Sequence, residues 1–197
     1  MIIISGIGWI SKQKYGCVKR KIRKDYTDIK SLHSELQNES TFLYPVKNFG
    51  RFDITSKIAC CVGALALHDA GIKYSENYEQ DIGIIGTNTN GCLKSNLNYF
   101  KDYVQTGRKL ARGNLFIYTL PSSPLSEAAI HFGFQGPLFY IGFPPKQIQI
   151  RANSRSPLLQ YAEGMIYREE ASTILAMKVD EKKAVCFVIK RERGKII

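Results

Sequence analysis

Acidic side chains are scarce in this chain. Only 17 Asp and Glu stand against 28 Lys and Arg in 197 residues, leaving a formal charge of +11. Cysteine is sparse as well. Cys17, Cys60, Cys61, Cys92 and Cys186 are odd in number and show no C-x-x-C spacing, and there are three histidines. That pattern argues against a zinc site and a disulfide framework, so no metal is expected. Reduced thiols in a cytoplasmic protein are the expectation. No apolar run approaches the ~20 residues of a membrane span. The opening "MIIISGIGWISKQ" has no basic region ahead of its apolar stretch and reads as a strand, not a signal peptide. Internal repeats and low-complexity linkers are also lacking. A chain of this length suits one domain, residues 1–197, with a real hydrophobic core.

The positive charge is partly local. "KQKYGCVKRKIRKD" gathers Lys12, Lys14, Lys19, Arg20, Lys21, Arg23 and Lys24. Such a run suits nucleic acid, anionic lipid or an acidic protein, or forms a solvated loop. Nucleic acid is the weaker reading, because no aromatics interleave with the run and no recognition-helix or RNA-binding signature accompanies it.

Periodicity places the elements. "IIISGIG" reads as a buried strand and "TDIKSLHSEL" as a helix. "DITSKIACCVGALALHDAG" is the clearest helix, with Asp53 as N-cap and Gly71 as its stop. "DIGIIGTNTNG" is a strand running into a glycine-bearing loop, and "NLNYFKDYVQTG" a helix. In "LPSSPLSEAAIHFGF" Ser123 suits the cap, Pro124 the first turn and Gly133 the end. "PLFYIGF" is a strand and "SPLLQYAEGMIYREE" a helix, and "STILAMKVD" and "KAVCFVIKRE" are two strands around a turn. Alternating strands and helices predict an α/β layered fold with a mixed, mostly parallel sheet of about five strands flanked by helices.

Four of these pieces, in order, resemble the N-terminal half of a β-ketoacyl synthase of the thiolase-fold superfamily. They are "IIISGIGWIS", "FDITSKIACCVGALALHDAGI", "DIGIIGTNTNG" and "LPSSPLSEAAIHFGFQGPLFYI". The resemblance implies half of a thiolase-like fold. It also implies that the strand after Gly136-Pro137 should deliver a cysteine to the start of a buried helix, where the helix N-terminus activates the thiolate for acyl transfer. Counting forward from Gly136-Pro137 puts that cysteine near Pro145. Counting back from "MIYREEASTILA" puts it near Ala152. Neither count reaches one, since "FPPKQIQIRANSRS" has none.

Ser154 and Ser156 are substitutes without a histidine close in sequence. Gln147 and Gln149 suggest the decarboxylating variant of the family, which still needs histidines from a C-terminal half. His33, His68 and His131 fall in or beside predicted helices and read as structural. The closing strand pair makes the half-sheet read as finished.

The expectation is therefore a non-catalytic, cofactor-free ketosynthase-like protein of fatty-acid or polyketide-type biosynthesis. Its partner would be a ketosynthase or an acyl carrier protein. Carrier proteins are acidic, and Lys19, Arg20, Lys21, Arg23 and Lys24 are the expected contact residues. A homodimer through the "PLFYIGF" edge is a further expectation, since the family pairs that strand across its dimer axis. The alternative is an acyltransferase or condensing enzyme that uses another nucleophile or is completed by a second chain.

Overall fold

The computed structural model describes residues 1–75, 79–107, 112–142 and 156–192. Its sheet runs in the order β3-β2-β1-β7-β6-β4-β5. The strands are β1 (Ile2–Ser11), β2 (Lys14–Cys17), β3 (Ile22–Asp25), β4 (Ile82–Thr87), β5 (Leu138–Tyr140), β6 (Thr173–Asp180) and β7 (Lys183–Arg191). The helices are α1 (Ile29–Asn38), α2 (Ile54–Ala70), α3 (Leu93–Thr106), α4 (Gly113–Ile117), α5 (Ser123–Phe132) and α6 (Pro157–Tyr167), with a 3-10 turn at Phe49–Arg51.

The mixed α/β architecture agrees with the sequence, but the sheet differs in two respects. It has seven strands among the described residues, and only β4 pairs in parallel, with β5 on one side and β6 on the other. The remaining pairings are antiparallel. Short connections explain three of these pairings, while β1–β7 joins strands from the two ends of the chain. Lys12-Gln13 and Glu181-Lys182 join strands whose end residues face each other, Ser11 with Lys14 and Asp180 with Lys183. A link that short can only reverse the chain. The two extra strands lie inside the basic run. Tyr15 and Cys17 point into the core while most of their neighbours are exposed, so the run's charge hides its alternation.

Side-chain alternation divides the core between the two faces of the sheet. On one face, Leu175, Met177 and Val179 of β6 and Ala184, Cys186 and Val188 of β7 join the large cluster beneath α1, α2 and α5. On the other, Ile174, Ala176 and Ile189 pack against Leu158, Ala162, Met165 and Ile166 of α6. β4 is buried throughout, with Ile84 facing the first cluster and Ile85 the second. Among the described residues no helix is long and apolar enough to cross a membrane.

α2 is the axis of the fold. Asp53 caps it, its Oδ1 accepting the Ser56 N–H at 2.8 Å. Gly71 ends it at φ +69°, and the Ile72 N–H returns to the Leu67 carbonyl. The helix lies directly on β1: a Cβ at Gly8 would sit 2.5 Å from the Ala66 nitrogen, so only glycine admits this approach. Ser123 is not the cap of α5 but its first residue, and its hydroxyl donates to the Ile117 carbonyl. Pro124 and Gly133 take their expected places.

Candidate functional site

The basic run is a hairpin fixed to the C-terminal end of α2. β2 and β3 pair from Lys14–Asp25 to Cys17–Ile22, so residues 18–21 form the turn. Asp69, 2% exposed, holds that turn in place. Its carboxylate accepts the N–H groups of Ile7 (2.8 Å), Lys19 (3.1 Å) and Arg20 (2.8 Å). An anion at a helix C-terminus is disfavoured by about 0.3–1 kcal/mol, whereas each hydrogen bond to a charged acceptor contributes about 1.5–3 kcal/mol, so the hydrogen bonds decide. Arg20 adds a cation at this helix end, its Nε donating to the His68 carbonyl at 2.7 Å.

The five predicted contact residues are therefore brought together, all exposed, but not equally available. Arg20 is tied to α2, and Lys24 pairs with Glu39. Lys19, Lys21 and Arg23 have no carboxylate partner among the described residues. β3 is also an edge strand, and its charges guard that edge against pairing.

A cleft opens at the other end of α2. Since α2 has 17 residues, it lies about 25 Å from the hairpin. Two adjoining cavities of about 760 and 560 Å³ share Arg51, Phe52, Asn114 and Tyr118. The Tyr118 hydroxyl donates to Glu127 at 3.1 Å. Burial pushes Glu127 above the usual carboxylate range; Tyr118 opposes this and Asp53 adds to it. Asp53 accepts the Ser95 hydroxyl at 3.1 Å. These residues come from distant segments, and no motif marks them. The sequence signalled only Asp53, as a cap.

Glu127 makes a pH prediction. Its folded pKa lies above its unfolded value, so its contribution is complete below the ordinary glutamate range and is lost as pH rises through the folded value. Glu127→Gln should match the parent in urea melts at about pH 4 and be more stable at about pH 8. Equal stability at both values would show that Glu127 is not destabilised in its charged form.

Four of the thiols are buried and are not activated nucleophiles. Burial raises the pKa of Cys17 to about 12, followed in effect by Asp69, and its Sγ donates to the Leu65 carbonyl. Burial also raises Cys60, Cys61 and Cys186. Cys92, at the start of α3, donates to the Thr119 carbonyl. His33 stacks on Phe49 at 3.9 Å, and burial lowers its pKa. His68 is lowered by burial and then by Arg20. His131 packs against Phe42, Tyr44, Tyr74 and Phe132. Among the described residues no group of three or more His, Cys, Asp or Glu is placed to hold a metal.

No family model matches the chain, and neither does any curated protein. Solved structures do. The ishigamide ketosynthase/chain length factor superposes with a TM-score of 0.64 at 11% identity, over 99% of this chain and 63% of that one. The fold is that of the β-ketoacyl synthases. A β-ketoacyl synthase from Burkholderia phymatum STM815 gives 0.62 at 12% identity, over 97% of this chain and 59% of the other. A type II polyketide synthase complex of an acyl-carrier protein with its ketosynthase gives 0.63 at 10% identity, over 96% and 57%. The chain thus spans about three fifths of the length of these ketosynthase-fold structures. Pro145, Gln147, Gln149, Ala152 and Ser154 lie outside the described residues. Ser156 is the N-cap residue of α6, and its side chain makes no capping hydrogen bond.

Proposed function

We propose that this chain is a non-catalytic, ketosynthase-fold component of fatty-acid or polyketide-type biosynthesis. It binds an acidic acyl carrier protein, or a ketosynthase, in the cytoplasm. The observation that carries the reading is the anchored hairpin. Asp69 fixes its backbone, and Lys19, Lys21 and Arg23 are displayed without carboxylate partners on a fold shared with a ketosynthase solved in complex with its carrier protein. Clustered cations raise the encounter rate with an acidic partner, and a backbone already held by Asp69 loses little further freedom on docking. Among the described residues β5 is the last strand of the sheet, and with Phe139 50% exposed it suits pairing with a second copy.

The non-catalytic part rests on the sequence between β5 and α6, which has no cysteine, and on the engaged or buried thiols elsewhere. Incubation with a malonyl or acyl thioester, followed by intact mass measurement, should show no adduct. A stable adduct mapped to Cys92, Ser154 or Ser156 would overturn it.

A second reading has one observation in its favour: the chain spans only 57–63% of those three structures. A second chain would then complete an acyltransferase or condensing site. The same incubation, repeated with the partner present, separates the readings.

A further inference from the structure

We propose that α3 pairs in parallel with the α3 of a second copy of this chain, through Leu93, Leu97, Phe100 and Val104. The inference rests neither on the hairpin nor on the function proposed above.

α3 is docked with a polar side inward. Ser95 donates to Asp53 at 3.1 Å, and the Tyr99 ring lies 5.4 Å from that of Phe116. Asp102, 7% exposed, accepts from Arg112 at 2.6 and 2.9 Å. The apolar residues point the other way: Leu93 (58%), Leu97 (59%), Phe100 (64%) and Val104 (64%) are all exposed. A surface helix ordinarily does the reverse and turns its apolar stripe to the core. Here the inward contacts fix the helix with that stripe outside, where it marks an interaction surface.

The spacing of the stripe selects another helix as its cover. Steps of four, three and four residues are those of a heptad seam, with Leu97 and Val104 at a and Leu93 and Phe100 at d. Such an a/d stripe is narrower than the face a helix presents to a core. A second copy brings the same seam in register, a against a and d against d. The helix is already formed and held, so pairing adds little ordering cost.

The available area matches what a stable pair needs. Phe116, Ile117 and Leu120 of α4 are also more than half exposed, and Phe116 lies against Tyr99 of α3. Together the seven side chains offer on the order of 500 Å² of apolar area per copy. A stable interface takes about 800 Å² per partner, about three fifths of it apolar.

Charge sets the direction. Beside the seam, Lys94 and Lys101 occupy the e positions and Asn96 and Tyr103 the g positions. An antiparallel pair sets e against e, which brings Lys94 beside Lys101 of the second copy. A parallel pair sets e against g, so Lys101 meets Asn96 of the second copy and no like charges face each other. Lys94 is in addition held by Glu181 at 2.9 Å. The formal charge of +11 on each copy still opposes association at long range, and salt screens that repulsion.

The test is sedimentation velocity of the full chain over about 1–100 μM, where a dimer should form with rising concentration. Leu97→Asp and Phe100→Asp should each weaken association at least about tenfold. Their circular dichroism, and their urea midpoint at monomer concentration, should stay those of the parent. Asn96→Glu should tighten the dimer at least about twofold by facing Lys101 of the second copy. Association should strengthen as salt rises toward about 1 M, whereas hairpin binding to an acidic partner weakens, so the two readings fail separately. A parent that stays monomeric, association undiminished in the folded Leu97→Asp and Phe100→Asp variants, or a dimer that Phe139→Asp alone separates would overturn the proposal. Failure of Asn96→Glu to tighten the dimer would overturn the parallel arrangement. Binding of a monomeric parent to phosphatidylglycerol vesicles, abolished by Leu97→Asp, would also overturn the pairing and assign the stripe to a lipid surface.

Discussion

Replacing Asp69 by alanine should destabilise the fold by on the order of 3–5 kcal/mol in urea unfolding. The residue is 2% exposed and accepts three main-chain N–H groups, from Ile7 in β1 and from Lys19 and Arg20 in the hairpin turn. Alanine leaves those donors without their acceptor and removes the link between α2, β1 and the hairpin. Asparagine keeps one acceptor oxygen and should fall between. Amide exchange should report the consequence locally, with the Lys19 and Arg20 amides losing protection before those of β6 and β7. A loss below about 1 kcal/mol would mean that water satisfies these donors equally well, and the hairpin would then not be pre-organised by α2.

Reversing three charges on that hairpin, with Lys19, Lys21 and Arg23 all changed to glutamate, should weaken binding to an acidic acyl carrier protein at least about tenfold at low salt. The change moves a net of six charges across one small exposed turn. The affinity of the parent should fall steeply as salt rises toward about 1 M, where the Debye length is about 3 Å, and the variant should show a shallower dependence. Stability should hardly change, because these side chains are exposed and Asp69 binds backbone rather than side-chain groups here. Unchanged carrier binding by the folded variant would remove the hairpin from the proposed function and leave its charges the simpler task of guarding an edge strand.

Much of the frame is legible in the sequence. The Asp53 cap, the Gly71 stop and the 3.6-residue spacing of Ile58, Cys61, Val62 and Leu65 defined α2, because helix ends are set by local chemistry. The order of strand, helix, strand, proline-led helix and strand carried the resemblance to ketosynthases, and structures of that fold now superpose on nearly the whole chain. The hairpin was the main omission. Each of its strands has four residues, and the inward Tyr15 and Cys17 are separated by Gly16 amid seven nearby cations. Over so short a stretch, composition outweighs period. Sheet direction escapes the sequence pattern for a related reason. Alternating elements suggest parallel pairing, but strand neighbours depend on which edges meet in space, and β1 meets β7, which is distant in sequence.

The sequence by itself determined the longer helices and strands, the excess positive charge and the lack of a cysteine between β5 and α6, since each is a property of residue type and local spacing. Only the tertiary structure decided which charges are available. Arg20 and Lys24 are engaged by His68 and Glu39, from distant parts of the chain, while Lys19, Lys21 and Arg23 are not. It alone created the cleft, whose walls come from residues 44–55, 88–98, 114–131 and 179–182. The physical reason is the same in both cases: pairing and concavity arise between segments that packing brings together, and no local pattern in the chain encodes their proximity.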